Sequence, residues 1–182
     1  MPLRKSGVLE EQVFSAKRHD RSSFRCGEQA LDDFLRKYAL QQSAKGISTV
    51  FVLIDDAQPS KILGFYTLSA AQVSVEQLSE AERKKLPRYP VPCFRIGRLA
   101  RNIENRGLGV GEILIGLAVD RCLQARSQVG AYAILVDAKN EKAKRFYEKY
   151  GFVPFVDSPM AMYLPLDVAS SNLDKGSNRD RN

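Results

Sequence analysis

Histidine occurs once in this chain of 182 residues, at His19, and cysteine three times, at Cys26, Cys93 and Cys122. No Cys-x-x-Cys, His-x-x-x-His or other cluster of soft ligands is present. A structural zinc site needs such ligands at short spacing, so that class is excluded and no metal is expected. An odd number of widely spaced cysteines fits a reducing cytoplasm, with each thiol buried as a small hydrophobe. Long apolar runs are missing too. No window approaches the roughly eighteen apolar residues of a membrane helix. The opening Met1-Pro2-Leu3-Arg4-Lys5-Ser6 is basic but has no apolar stretch behind it, so it does not read as a secretory leader. The expected location is the cytoplasm.

What is present suits one soluble domain. Hydrophobic residues make up 44% and charged residues 27%, which excludes wholesale disorder. Lys and Arg number 28 against 21 Asp and Glu, a net charge of +7. The excess is not spread evenly. Between Arg83 and Arg106 stand Arg83, Lys84, Lys85, Arg88, Arg95, Arg98, Arg101 and Arg106, opposed by Glu104 alone. That stretch holds the entire excess. Concentrated positive charge draws polyanions by steering and counterion release. A phosphate-rich ligand, a nucleic acid or both are expected there. A solvated basic loop is the bland alternative.

Hydrophobic periodicity lays out the elements. Residues 10–16 suit a first strand, and Phe24-Arg25-Cys26-Gly27 a turn. Leu31, Phe34, Leu35 and Tyr38 repeat at helical spacing within 28–43, and Gly46 ends that helix. Residues 49–54 and 62–70 are β-rich and read as a hairpin with a longer loop. A short helix falls within 74–86. Pro87, Pro90 and Pro92 then hold an extended connection. Residues 93–101 form a strand, 112–125 a helix, and 132–136 an almost wholly apolar strand, which is expected to be central. A helix over 140–150 stops at Gly151, and 152–156 with 160–164 close the domain as a hairpin. The domain spans 1–166. Residues 167–182 are polar and read as a flexible tail. Strands alternating with helices give an α/β (α+β) fold with a mixed, partly parallel sheet and helices on both faces.

Arg106-Gly107-Leu108-Gly109-Val110-Gly111 lies between a strand and a helix. Glycines there admit an anion close to backbone N–H groups, and the helix N-terminus favours negative charge. No Gly-Lys-Ser/Thr follows, so it is no Walker A loop. Gly111 comes one residue early for the dinucleotide fingerprint. The pattern fits a pyrophosphate without fitting ATP or NAD. A merely tight turn is the alternative.

Arg106-x-x-Gly109-x-Gly111 resembles the acetyl-CoA-binding loop of the GNAT superfamily of N-acetyltransferases. The run Asn140-Glu141-Lys142-Ala143-x-x-Phe146-Tyr147-x-x-Tyr150-Gly151-Phe152 is similar to the later helix and strand of that family. The two together cover roughly residues 49–164. Phe24-x-Cys26-Gly27-x-x-x-Leu31-Asp32-x-Phe34-Leu35, with Arg95-Ile96-Gly97-Arg98-Leu99-Ala100, resembles the acetyltransferase toxins of bacterial toxin–antitoxin pairs. The resemblance implies a mostly antiparallel sheet with a splayed parallel pair. It implies that the backbone of Leu99, Ala100 and Arg101 holds the pantetheine arm of acetyl-CoA. Arg106, Gly107, Leu108, Gly109, Val110 and Gly111 then hold its pyrophosphate, and Asn140 contacts the cofactor. Tyr147 is the implied catalytic residue, protonating the departing thiolate. Arg101 departs from the family, which places an apolar residue there.

An attacking amine must be neutral. A lysine at about 10.4 needs a strong base, whereas an α-amine at roughly 7.7–8.0 needs little help. No carboxylate or histidine stands out as that base. The toxin subgroup acetylates the amino acid on charged tRNA, which is both an α-amine and a polyanion. The resemblance thus assigns Arg83, Lys84, Lys85, Arg88, Arg95 and Arg98 to an aminoacyl-tRNA substrate. It also implies a ribbon-helix-helix antitoxin and a homodimer, with no membrane partner. Two alternatives are an acetyltransferase for a protein N-terminus or small amine, and a non-enzymatic nucleic-acid-binding module.

Overall fold

A computed structural model describes residues 7–177 of the chain, with side chains to residue 171. In order, the elements are β1 (Leu9–Val13), α1 (Gln29–Asp33), a π-helical turn (Phe34–Tyr38), α2 (Ala39–Ala44), β2 (Thr49–Asp55) and β3 (Gly64–Val73). A 3-10 turn (Val75–Gln77), α3 (Glu80–Arg83), β4 (Val91–Arg101), a second 3-10 turn (Ile103–Asn105) and α4 (Val110–Arg126) follow. The chain then forms β5 (Ala133–Asp137), α5 (Glu141–Glu148), β6 (Val153–Pro154), β7 (Ala161–Pro165) and α6 (Leu166–Ser177).

The strands are hydrogen-bonded in the order β1-β2-β3-β4-β5-β7-β6. The pairs β1–β2, β2–β3, β5–β7 and β6–β7 are antiparallel. β4 and β5 are parallel, paired from Cys93↔Ala133 to Arg95↔Leu135. β4 continues beyond that pairing to Arg101. Pairing confined to the first part of β4 is what a splayed parallel pair produces. The apolar strand β5 lies inside the sheet between β4 and β7, as its composition predicts.

Contacts divide the chain into two units, Met1–Ser69 with Gly97–Ala118, and Ala70–Ile96 with Val119–Asn182. In the first, β2 alternates Val50, Val52 and Ile54 into a core with Phe14, Phe24, Phe34, Leu35, Ala39 and Phe65. Its other face stacks Phe51 on Tyr66, with ring centroids 5.1 Å apart. The first helix departs from the predicted α pattern. The π-helical turn inserts one extra residue, and the Ala39 N–H bonds back to the Phe34 carbonyl. That slip moves the buried face on by one position. Ala39 is buried and Tyr38, which plain helical spacing puts on the core face, is 50% exposed.

Gly64 fixes where α4 begins. An ideal Cβ there would lie 2.7 Å from Leu114 Cδ1, 2.9 Å from the Ala100 carbonyl oxygen and 3.1 Å from Val110 Cγ1. Only a residue without Cβ lets β3 approach α4 so closely. Gly64→Ala is therefore expected to cost about 1–3 kcal/mol in urea unfolding, as overpacking does. Gly116→Ala, in the same helix with open space around it, should not destabilise. Equal midpoints for the wild type and Gly64→Ala would refute the close-packing account.

In the second unit Val73, Leu78, Val91, Cys93, Ala133, Leu135, Phe155 and Tyr163 form the core. Glu82 of α3 is gripped by the sheet. It accepts hydrogen bonds from the Tyr132 hydroxyl at 2.9 Å, the Ser79 hydroxyl at 3.1 Å and the Tyr163 hydroxyl. The segment predicted to be a polar tail instead starts as α6. Leu166 and Ala169, spaced i and i+3, are buried, and Asp167 pairs with Arg126 at 2.7 Å. Two apolar residues at that spacing give the first turn a face to bury. Residues 178–182 of the expected tail lie outside the described residues. Of the three thiols, Cys93 and Cys122 are buried as expected, whereas Cys26 is only half-buried.

Burial in this unit carries a pH dependence. It pushes the Cys93 thiol up to about 11, the Cys122 thiol up to about 12 and the Tyr147 phenol up to about 12. Each native pKa lies above its unfolded value, so each contribution is complete at neutral pH and is lost as pH rises through the native value. Stability should hold to about pH 9 and then decline towards pH 12. Urea midpoints at pH 8 and pH 11 test this, and the decline should be shallower in Cys122→Ala. Midpoints that do not change with pH would contradict it.

Candidate active site

The first unit supplies an anion cradle. Asn102, buried at the end of β4, anchors its entry. Its N–H donates to the Leu63 carbonyl at 2.7 Å, and its side-chain amide donates to the Ile62 carbonyl at 3.3 Å. Its Oδ1 accepts from the Glu104 N–H at 3.2 Å, and Lys61 pairs with Glu104 at 2.7 Å. The chain then passes Arg106 and turns at Gly107 and Gly109, whose φ values are +79° and +72°. These left-handed turns favour glycine, and a Cβ at either position would meet nothing within 4 Å. The loop therefore stands open. The Gly109 carbonyl accepts the first helical bond, from the Ile113 N–H at 3.0 Å.

Val110 and Gly111 lie in the first turn of α4 and not in the loop itself. The first N–H groups of a helix have no intrahelical acceptor, and the helix dipole is positive there. Val110 buries its side chain, so its backbone is what it offers. Exposed Arg106 adds a full charge beside this terminus. The arrangement fits a diphosphate group.

β4 sorts its last residues. The Asn102 N–H points at Leu63, next to β3. Main-chain groups alternate sides along a strand, so those of Arg101 and Leu99 turn away from β3 and those of Ala100 turn towards it. Of the three residues expected to hold a pantetheine arm, Leu99 and Arg101 are thus the ones whose main-chain groups do not face β3. Arg98 lays its guanidinium over the Phe34 ring, 3.8 Å from the centroid. Burial lowers its pKa from the usual arginine value. Its charge is thus part-committed to packing.

The second unit holds the phenol. Tyr147 is 9% exposed, and its ring packs on Phe146 and Phe152 with centroids 5.3 and 5.5 Å away. The desolvation that sets its pKa at about 12 is reinforced by the nearby charge of Asp137. The hydroxyl therefore stays protonated across the neutral range. Asp137 itself is held by Arg95 at 2.5 Å. That ion pair joins residues far apart in sequence, and no local pattern announces it. Arg95 is thereby tied to a carboxylate, a partner that the assignment to polyanion binding did not include.

Asn140 caps α5. Its Oδ1 accepts from the Ala143 N–H at 2.8 Å, which leaves its NH₂ as the outward donor. His19 is no base. It is buried, its Nδ1 accepts from the Ser15 N–H at 3.0 Å, and its Nε2 meets Gln12 Oε1 at 3.1 Å. Burial and the Arg18 charge lower its pKa, and its Nδ1 lone pair is taken up by the Ser15 N–H.

The cationic strip also belongs to the second unit. Arg83, Lys84, Lys85 and Arg88 are all exposed. Lys84 meets Glu80 at 3.0 Å, and the Glu76 carboxyl is held below its usual range chiefly by the Ser74 hydroxyl, with the Arg83 charge adding to it. Lys85 and Arg88 have no carboxylate partner among the described residues. Arg83, Lys84 and Arg88 line an open cavity of about 520 Å³ with Val75 and Leu86. Among the described residues no cluster suits a metal ion, and no helix is long and apolar enough to cross a membrane.

Comparison with known proteins identifies the family. Residues 15–152 match the model of the acetyltransferase (GNAT) family. A tRNA-acetylating toxin of Mycobacterium tuberculosis is 36% identical over 80% of this chain and 85% of its own length. The structure of AtaT complexed with acetyl-methionyl-tRNAfMet superposes with a TM-score of 0.85 at 29% identity, covering 91% of this chain and 99% of that one. A tyrosine-to-phenylalanine variant of the AtaT toxin, bound to the C-terminus of the antitoxin AtaR and to acetyl-CoA, gives a TM-score of 0.77 at 27% identity, covering 91% and 98%. With its splayed parallel strands, its open glycine loop and a family match over most of its length, the chain belongs to the GNAT family of acetyltransferases, enzymes that use acetyl-CoA.

Proposed function

We propose that this enzyme transfers acetyl to the α-amine of an amino acid esterified to tRNA, and so acts as a translation-blocking toxin. Support comes from the exposed cationic strip around Lys85 and Arg88, in a chain 36% identical to a tRNA-acetylating toxin. Acetyl-CoA supplies an activated acetyl thioester. The N–H groups at the start of α4, with Arg106, hold its diphosphate. Backbone groups of Leu99 and Arg101 hold its pantetheine arm, and the Asn140 NH₂ is a further donor to it.

Tyr147 keeps its proton until a thiolate forms beside it. Water exclusion raises the basicity of that thiolate as well as the pKa of the phenol, which keeps the two matched. The acceptor needs no dedicated base, since an α-amine at roughly 7.7–8.0 is substantially neutral at cytoplasmic pH. No dedicated base is called on: both ring nitrogens of His19 are engaged by Ser15 and Gln12, and Asp137 pairs with Arg95. Acetylation of a protein N-terminus remains the second reading, because it shares the α-amine; the cationic strip favours tRNA over it.

A small ribbon-helix-helix antitoxin and a homodimer complete the reading. A related toxin is bound by the C-terminus of its antitoxin. Mass spectrometry of charged tRNA after incubation with enzyme and acetyl-CoA should show one added acetyl group on the amino acid. Acetylation of peptides with none on charged tRNA would establish the second reading instead.

A further inference from the structure

Charge alone does not explain the segment that follows α3. Pro87-Arg88-Tyr89-Pro90 leaves Tyr89 65% exposed, one of the largest exposures of a bulky apolar side chain in the molecule. Among the described residues no hydrogen bond or ring contact engages it. The chain bends at Arg88 and Tyr89, and the prolines on either side fix φ and limit the freedom of that bend, so the ring costs little entropy to immobilise. Lys85 and Arg88 beside it are exposed and unpaired. An aromatic face projecting from a cationic strip is how proteins grip single strands: the charges follow the phosphates and the ring stacks on a base. A duplex offers no free base face.

We propose that Tyr89 stacks on an unpaired nucleotide of the single-stranded 3′ end of tRNA, next to the ester that carries the amino acid, with Lys85 and Arg88 on the adjoining phosphates. The inference rests on tRNA being the substrate and adds which part of it this segment reads. A cationic strip alone would bind the acceptor duplex and its overhang alike.

The chain has no tryptophan, so Tyr89→Trp installs a single fluorescent reporter. Its emission should be quenched by intact tRNA and by a short single-stranded RNA with the tRNA 3′ sequence. Quenching should be lost with a tRNA trimmed of its unpaired 3′ nucleotides. Tyr89→Ala should lower kcat/KM on charged tRNA by about tenfold, within the range for one base–aromatic stack, and Tyr89→Phe should restore it. Affinity for acetyl-CoA should be the same in all of them.

Equal quenching by intact and trimmed tRNA overturns the stacking proposal, as does a fully active Tyr89→Ala. Both results leave tRNA as the substrate. Wild-type enzyme that neither binds nor acetylates tRNA overturns the substrate reading, and the stacking proposal falls with it.

Discussion

Tyr147→Phe should give a folded protein that binds acetyl-CoA normally and transfers acetyl about 10²–10⁴ times more slowly, the usual cost of removing a general acid. The ring stays, and with it the packing on Phe146 and Phe152. The lost hydroxyl has no hydrogen-bond partner among the described residues, so the melting temperature should hold or rise slightly. Tyr150→Phe is the contrast. Tyr150 is half-buried with its ring 5.2 Å from Phe146, and the milder effect is expected there. Near-wild-type turnover of Tyr147→Phe would mean that solvent protonates the thiolate.

The pH profile follows from the same geometry. Burial and Asp137 place the Tyr147 phenol at about 12. Its acid form is therefore complete through the neutral range and sets no falling limb below about pH 10. The rising limb belongs to the acceptor amine, which loses its proton near its own pKa. Activity should climb with pH and then level off.

The backbone of this site was legible in sequence because its determinants are local. The glycine pattern after residue 101 marks an open turn, and β-branched runs mark β2 and β5. What eluded periodicity depends on tertiary contacts. Helical spacing makes Phe146 and Tyr147 equally good candidates for the core. In the structure Tyr147 is the buried one and Phe146 is half-exposed, because Phe152 packs on the tyrosine ring. The π-helical turn at Phe34–Tyr38 was hidden for a similar reason. An α pattern fits Leu31, Phe34, Leu35 and Tyr38 on paper, and only the core selects Ala39 over Tyr38. Arg95 and Arg98 read as free charges, yet their partners Asp137 and Phe34 lie far off in sequence. Gly64 left a usable trace: a lone glycine inside an apolar strand marks close backbone approach.

Replacing Arg83, Lys84 and Lys85 together by Glu should separate the two ligands. All three side chains are exposed, and the grip of Tyr132, Tyr163 and Ser79 on Glu82 is untouched, so α3 should stay in place. Each phosphate contact contributes a slope of roughly 0.7–0.9 to the fall of log affinity with log salt. Losing up to three contacts should flatten that slope by about two and weaken tRNA binding by about 10² or more at low salt. The loss should be uniform across tRNA species, because phosphate contacts carry no sequence information. Acetyl-CoA should bind as before, since the proposed holders of its diphosphate are the loop at Gly107 and Gly109 and the start of α4, and none of the three substitutions touches them. Binding measured for both ligands across a salt series decides the matter. Equal weakening for acetyl-CoA and tRNA would assign the strip to the cosubstrate or to the fold, and would remove the physical support for a tRNA substrate.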